Sequence, residues 1–165
     1  TAKYGTFRTL AFKKEDGGKI FPPTKLPFNQ KTDKFLISKF LKAAFSCDGG
    51  VNLYVARVLK TGYKFLIRNV YLSCHHPQLQ LDYKKLLKFL DISSKILKDD
   101  KRIIIRKRAD LNNFRERVGF LEGVKITQHS AFWQGWEKNR VLDFVLSSYD
   151  EPDEIMKLSQ FRIKR

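Results

Sequence analysis

One carboxylate, Asp48, closes the most apolar stretch of the chain, Phe40–Gly50 (FLKAAFSCDGG). The stretch has a helical pattern. An acidic residue near a helix C-terminus opposes the helix dipole, which points to function rather than to helix stability. Taken alone, Asp48 also fits an ordinary helix-end residue. Cys74, His75 and His76 supply donors that zinc accepts, but no fourth ligand has fitting spacing, so a zinc site is not expected. Two cysteines, Cys47 and Cys74, are too few for a disulfide framework. A third set is cationic. In the segment 101–107 Ile103 and Ile105 alternate with Arg102 and Arg106, and Arg108 continues that row. In 64–73 Phe65, Ile67 and Tyr71 oppose Lys64 and Arg68. Side chains of a strand switch faces at every residue. The expected sheet is therefore apolar on one face and cationic on the other. An antiparallel ribbon with an open cationic face fits the DNA major groove, with phosphate neutralisation supplying most of the affinity.

The elements that must position these residues are legible in the punctuation. Residues 1–31, broken by Gly17-Gly18, Pro22-Pro23 and Pro27, predict a short strand or hairpin and an extended lead-in. Thr32 is the expected N-cap of a helix over 33–47, with Asp33 in its first turn and Gly49-Gly50 ending it. Strands are predicted over 51–60 and 64–73 around Thr61-Gly62. Pro77 opens a second helix. Segments 93–97 and 101–107 form a second hairpin around Lys98-Asp99-Asp100. Asp110 caps a third helix that Gly119 ends. Residues 130–149 are read as one long amphipathic helix stopped by Pro152. The order α-β-β-α-β-β-α-α predicts an α+β domain over 32–150: one antiparallel sheet with helices on one face, flanked by a 1–31 extension or linker and a basic 151–165 tail.

Composition sets the class of partner. The chain carries 33 Lys and Arg against 17 Asp and Glu, a net charge of +16. That excess faces a polyanion, of which nucleic acid is the usual one. At 42% hydrophobic, with 14 Phe, the chain can bury a core. No apolar run is long enough to cross a bilayer, so no membrane partner is expected, and the two cysteines suit an intracellular setting, in the cytoplasm, the nucleoid or an organelle.

At Phe40–Gly50 the chain resembles the LAGLIDADG homing endonucleases, whose signature is a buried helix of large and small apolar residues ending in an acid and Gly. Leu41-Lys42-Ala43-Ala44-Phe45-Ser46-Cys47-Asp48-Gly49 aligns with it position by position. Ala43 replaces the usual Gly, Ser46 replaces the first acid, and Asp48 keeps the second. The predicted order over 33–149 matches the family's αββαββα core with a concave sheet, and the likeness covers roughly residues 20–150.

The resemblance implies a site-specific endonuclease making double-strand breaks at a long DNA site, as in intron or intein mobility, although no intein splicing residues are recognisable. It implies Mg²⁺ held by Asp48, by a backbone carbonyl such as that of Cys47, by water and by phosphate. Lys125, in Val118–Lys125, falls where the family carries an active-site lysine. One of Ser73, Cys74 and His75 falls where it places a water-organising residue. The family pairs two such helices, so Leu41, Ala43 and Ala44 are expected to pack against a second motif, from a homodimer partner or a missing N-terminal half. Two alternatives stand beside this: a non-cutting maturase or transcription regulator of the same fold, and a basic RNA- or ribosome-binding protein of another family.

Overall fold

The first helix, α1 (Lys34–Asp48), starts where Asp33 turns its carboxylate onto the N–H of Phe35 at 2.9 Å. Its inward stripe is Ile37, Leu41 and Phe45, at four-residue spacing. The chain then enters strand β3 (Gly49–Arg57) with no intervening turn. In the computed structural model residues 33–57, 60, 62, 64–97 and 101–151 are described, together with Leu26 and the backbone of 13–15 and 18–20. The expected Thr32 cap, the Lys98-Asp99-Asp100 turn, the Pro152 stop, most of the 1–31 lead-in and the tail beyond Glu151 lie outside the described residues. Asp33 takes the N-cap position.

Short strands β1 (Lys13–Glu15) and β2 (Gly18–Ile20) form an antiparallel pair within the lead-in. The main sheet is antiparallel, in the order β3-β4-β6-β5. Strand β4 (Lys64–Ser73) pairs with β3 along its length, from Gly49 opposite Leu72 to Arg57 opposite Lys64. Strands β5 (Lys95–Leu97) and β6 (Arg102–Ile105) complete it. Helix α2 (Pro77–Phe89) has Pro77 in its first turn and His76 as N-cap, with the His76 ring accepting the N–H of Leu79 at 3.4 Å. Helices α3 (Arg108–Arg117) and α4 (Lys138–Ser147) follow.

One parity of the sheet meets the helices. Leu53, Val70, Leu72, Ile103 and Ile105 share that face and join α1's stripe, Leu86 and Leu87 of α2, Leu111 and Phe114 of α3, and Val141, Leu142 and Val145 of α4 in one core. Phe114 sits edge-on between Phe45 (4.9 Å) and Phe120 (5.5 Å). Each such side chain contributes about 1.5–3 kcal/mol by burial. The described residues form an α+β fold, with a four-stranded antiparallel sheet and four helices.

Several expectations change. Gly49 is not a left-handed helix cap; its φ is −104°, extended. Its small size is what matters, since a Cβ there would stand 2.6 Å from the Phe45 carbonyl oxygen and 2.7 Å from that of Tyr71. Asp110 is not the cap of α3. It lies in the first turn, buried, and accepts the N–H of Ser93 at 2.7 Å. Leu41 was expected to face a partner helix but shares the fully buried side of α1 with Ile37 and Phe45. The long helix over 130–149 is only Lys138–Ser147. Residues before it form a folded loop in which Trp133 (φ 57°) and Gly135 (φ 77°) take left-handed backbone. That loop borders β3, where the Trp133 indole N–H donates to the Leu53 carbonyl and Phe132 stacks on Tyr54 at 5.0 Å.

Gly49→Ala sets two backbone oxygens against a methyl, whereas Gly123→Ala meets nothing within 4 Å and strains only its φ of +72°. Urea unfolding should show Gly123→Ala costing about 1 kcal/mol, and Gly49→Ala costing clearly more. Equal losses would show that the α1–β3 junction relaxes freely.

Candidate functional site

The C-terminus of α1 is the place where chemistry-bearing groups converge. Among the last carbonyls of a helix, which lack intrahelical partners, Phe45 accepts from the N–H of Gly49. Ser46 takes a different donor. The ammonium of Lys138, the first residue of α4, donates to the carbonyls of Ser46 at 2.8 Å and of Gly49 at 2.7 Å. These bonds bracket Cys47 and Asp48, both exposed, and among the described residues no donor meets the Cys47 carbonyl. Lys138 is buried and also lies 5.6 Å from the Phe120 ring centroid. Burial pushes its ammonium below the ordinary lysine range, opposed by Cys47 and Asp48.

The surrounding chain fixes this junction. The buried Ser46 hydroxyl donates to the Lys42 carbonyl at 2.7 Å and accepts the N–H of Leu121 at 2.8 Å. Asn139 holds both the N–H and the carbonyl of Phe120, each at 2.9 Å. On another side stands the β4–α2 connection. Cys74 is half-buried, its thiol 3.6 Å from the His76 carbonyl oxygen; burial raises its pKa, a backbone hydrogen bond of His76 lowers it, and the charge of Asp48 raises it to a smaller degree. Burial likewise pushes the Tyr83 phenol up to about 12, with Cys74, Asp48 and Cys47 adding to the effect. Of Ser73, Cys74 and His75, Cys74 is thus the one whose environment couples to Asp48; Ser73 and His75 are exposed.

Lys125, the lysine singled out from the sequence, is exposed and pairs through its backbone with Glu137. The lysine that reaches the end of α1 is Lys138, one residue further on. Periodicity does not reveal it. Nor does position, because the expected helix over 130–149 puts Lys138 in its middle, whereas in the fold it is the first residue of α4, against the dipole.

Alongside the carboxylate runs an uncovered face of α1. Phe35 is 65% exposed, Leu36 55%, and Ala43 and Cys47 are also exposed. Phe40 and Ala44 are half-buried, Phe40 stacking on Tyr83 at 5.8 Å. Leu36, Ala43 and Cys47 lie at spacings of seven and four along the exposed stripe, with Phe40 between them packed against the core.

The sheet's other face differs from the expected cationic one. Pairing places Arg68 on the helix side, opposite Leu53. There its guanidinium donates to the Ser148 hydroxyl (2.7 Å) and carbonyl (2.8 Å) and stands 4.6 Å from the Tyr149 ring. Arg108 begins α3 rather than extending β6, and it forks onto the Asp150 carboxylate at 2.8 and 2.6 Å. Arg106 follows the strand and is exposed; Lys64, also exposed, opens β4 with the parity of Arg68, toward the helix side and not the expected outer face. Arg102 does lie on the outer face, beside Ser73, 5.1 Å from the Tyr71 ring. That face carries a hydrogen-bonded Asn52–Asn69 pair (3.0 Å), Tyr54, Phe65, Ile67, Tyr71 and Ile104. It is an aromatic and amide surface edged by cations.

Among the described residues no three His, Cys, Asp or Glu side chains stand together to hold a metal ion. One chain offers one carboxylate, Asp48, and the free Cys47 carbonyl beside it. Both are hard oxygen donors of the kind Mg²⁺ takes, so the donor set fits half a site. Among the described residues no helix is long and apolar enough to cross a membrane.

The raised Tyr83 phenol has a consequence for stability. A group whose folded pKa exceeds its unfolded value near 10.0 stabilises the fold below that pH and ceases to do so as pH rises through about 12. Cys74 acts in the same direction from its ordinary 9.0 upward. The urea midpoint should therefore fall across this alkaline window, and Tyr83→Phe should flatten the fall above pH 10. An unchanged slope in Tyr83→Phe would show that Tyr83 titrates normally.

Comparison of the chain with protein-family models, with curated proteins and with solved structures finds no match.

Proposed function

We propose that the chain is one half of a Mg²⁺-dependent, site-specific DNA endonuclease of the LAGLIDADG homing type, with the α1 carboxylate at its centre. The observation that carries this reading is the pairing on α1 of an uncovered apolar stripe with an exposed terminal Asp48. A helix buried on one side by its own core and bare on the other suits a second, equivalent helix. Small Ala43 and half-buried Ala44 permit close approach. Two helices so paired bring two Asp48 carboxylates and two Cys47 carbonyls together, completing a donor set that one chain lacks. A divalent ion held there would activate water and neutralise charge on the leaving oxygen. The chain's own part is to hold the oxygens in place, and Lys138 adds fixed positive charge at the end of the helix. The duplex would lie on the outer sheet face, with Arg102 and Arg106 meeting phosphates and Asn52 and Arg102 offering polar groups to bases. The net charge of +16 supports a polyanionic partner.

A non-cutting reading, maturase or transcription regulator, draws on one observation. The Ser46 hydroxyl, at the position of the family's first acid, is spent on the scaffold. The decisive assay presents a duplex DNA library with Mg²⁺ to the wild type and to Asp48→Asn. Cutting by the wild type should fall by about three orders of magnitude in Asp48→Asn, the several kcal/mol a metal ligand supplies, while DNA affinity stays near that of the wild type. A wild type that binds duplex DNA and never cuts favours the regulator; a preference for structured RNA favours the maturase or an RNA-binding protein.

The arginines separate by their placement. Arg102→Ala should weaken DNA binding and reduce the slope of log K against log salt by about one, with little change in Tm. Arg68→Ala should lower Tm through the lost Ser148 bonds and leave the slope unchanged. The reverse pattern would place the nucleic acid on another surface.

A further inference from the structure

We infer that Lys138 is a positioning residue for Asp48: by clamping the carbonyls of Ser46 and Gly49, its ammonium sets the direction in which α1 delivers the Asp48 carboxylate and the Cys47 carbonyl to a divalent cation. This rests on the metal-site reading of Asp48 given above.

Three observations carry it. The clamp is selective. Lys138 occupies the carbonyls on either side of the Cys47-Asp48 pair, at 2.8 and 2.7 Å, and leaves the Cys47 carbonyl open. The clamp is also costly to build. A buried ammonium loses hydration, and at the first residue of α4 it faces the positive end of its own helix dipole. A helix can be ended more cheaply with a left-handed glycine, as this chain does after α3 with Gly119 at φ +62°. Stability alone therefore gives little reason for the lysine. Finally, the clamp is braced. Asn139, the next residue, fixes Phe120 at both backbone groups, and the Phe120 ring lies against the ammonium. Leu121 donates to Ser46 on the far side of the same turn. The α1 terminus is thus gripped from α4 and from the 120–121 segment, while Asp48 and Cys47 remain exposed. Groups behind a metal's direct ligands that orient them commonly govern affinity by 10- to 100-fold, as an order of magnitude.

The test uses the full chain with a cleavable duplex and compares Lys138→Met, Lys138→Arg and, as a stability control, Val141→Ala in the same helix. Lys138→Met should raise the Mg²⁺ concentration for half-maximal cutting by about tenfold or more and lower kcat, with KM for DNA unchanged. Val141→Ala should lower Tm without moving the metal dependence. Lys138→Arg keeps the charge but not the geometry of the donors. It should recover most of the Tm and still show a several-fold raised metal requirement, so it carries the test if Lys138→Met does not fold. Wild-type metal dependence in a folded Lys138 variant overturns the proposal and leaves the nuclease reading intact. If the wild type does not cut, Tb³⁺ luminescence on the same proteins decides. Binding lost in Asp48→Asn and weakened in the Lys138 variants sustains the positioning role while the nuclease reading falls. Binding indifferent to both residues overturns both.

Discussion

The whole arrangement depends on α1 passing into β3 without a turn. A helix that stops this abruptly leaves carbonyls without partners, and the next residue must fit between two backbones. Gly49 meets the steric demand, since any Cβ would press on the carbonyls of Phe45 and Tyr71. Lys138 meets the electrostatic one. From this junction much else follows. The start of α4 has to lie at the end of α1, so the chain between α3 and α4 must return there. It does so through Phe120 and Leu121, which Asn139 and Ser46 hold. The small backbone pairing of Lys125 with Glu137 closes the path just ahead of Lys138.

The second organising feature is the division of α1 into two apolar faces. Ile37, Leu41 and Phe45 use one of them for the chain's own core. Leu36, Ala43 and Cys47 leave the other uncovered. An exposed Leu alone needs no explanation, but a stripe of large and small residues along one helix, flanked by exposed Phe35, is of the kind that marks an interface. Because the stripe ends beside Asp48, whatever covers it also determines what stands opposite the carboxylate.

How much of this was legible in the sequence varied with how local the deciding physics was. Strand β4 and the start of α2 follow from β-branched residues and from Pro77, and both fall where expected. The 130–149 segment did not. Phe132, Trp133 and Trp136 have helix-like spacing, yet their rings pack as a loop with Tyr54 and Phe144, an outcome set by residues far away in the chain. Strand β4 also shows how parity misleads. Both of its faces carry apolar residues, so alternation could not say whether Phe65, Ile67 and Tyr71 or Leu66, Val70 and Leu72 faced the helices. Pairing with β3 and β6 chose the second set, and Arg68 went inward with it. Asp48 was readable because it ends a distinctive run. Lys138 was not, as one among 33 basic residues whose role depends on a fold contact 92 positions away.

The polar groups of the chain divide into those the fold already uses and those it leaves exposed. The Ser46 hydroxyl, Arg68, Arg108, Asn139 and the Lys138 ammonium each have partners inside the chain. Removing any of them disturbs structure first. The Asp48 carboxylate, the Cys47 carbonyl and the side chains of Arg106 and Lys64 have no such engagement among the described residues, and Arg102 only rests against Tyr71. Folding gains little from leaving a carboxylate against a helix dipole and cations along a sheet edge. The two sets meet at one place, the end of α1, where a used lysine holds an unused carboxylate. That juxtaposition, more than the apolar run preceding it, is the physical argument for locating function there. Among the described residues that carboxylate stands at the end of a helix face left open to solvent at Leu36, Ala43 and Cys47, so both features are presented together on α1.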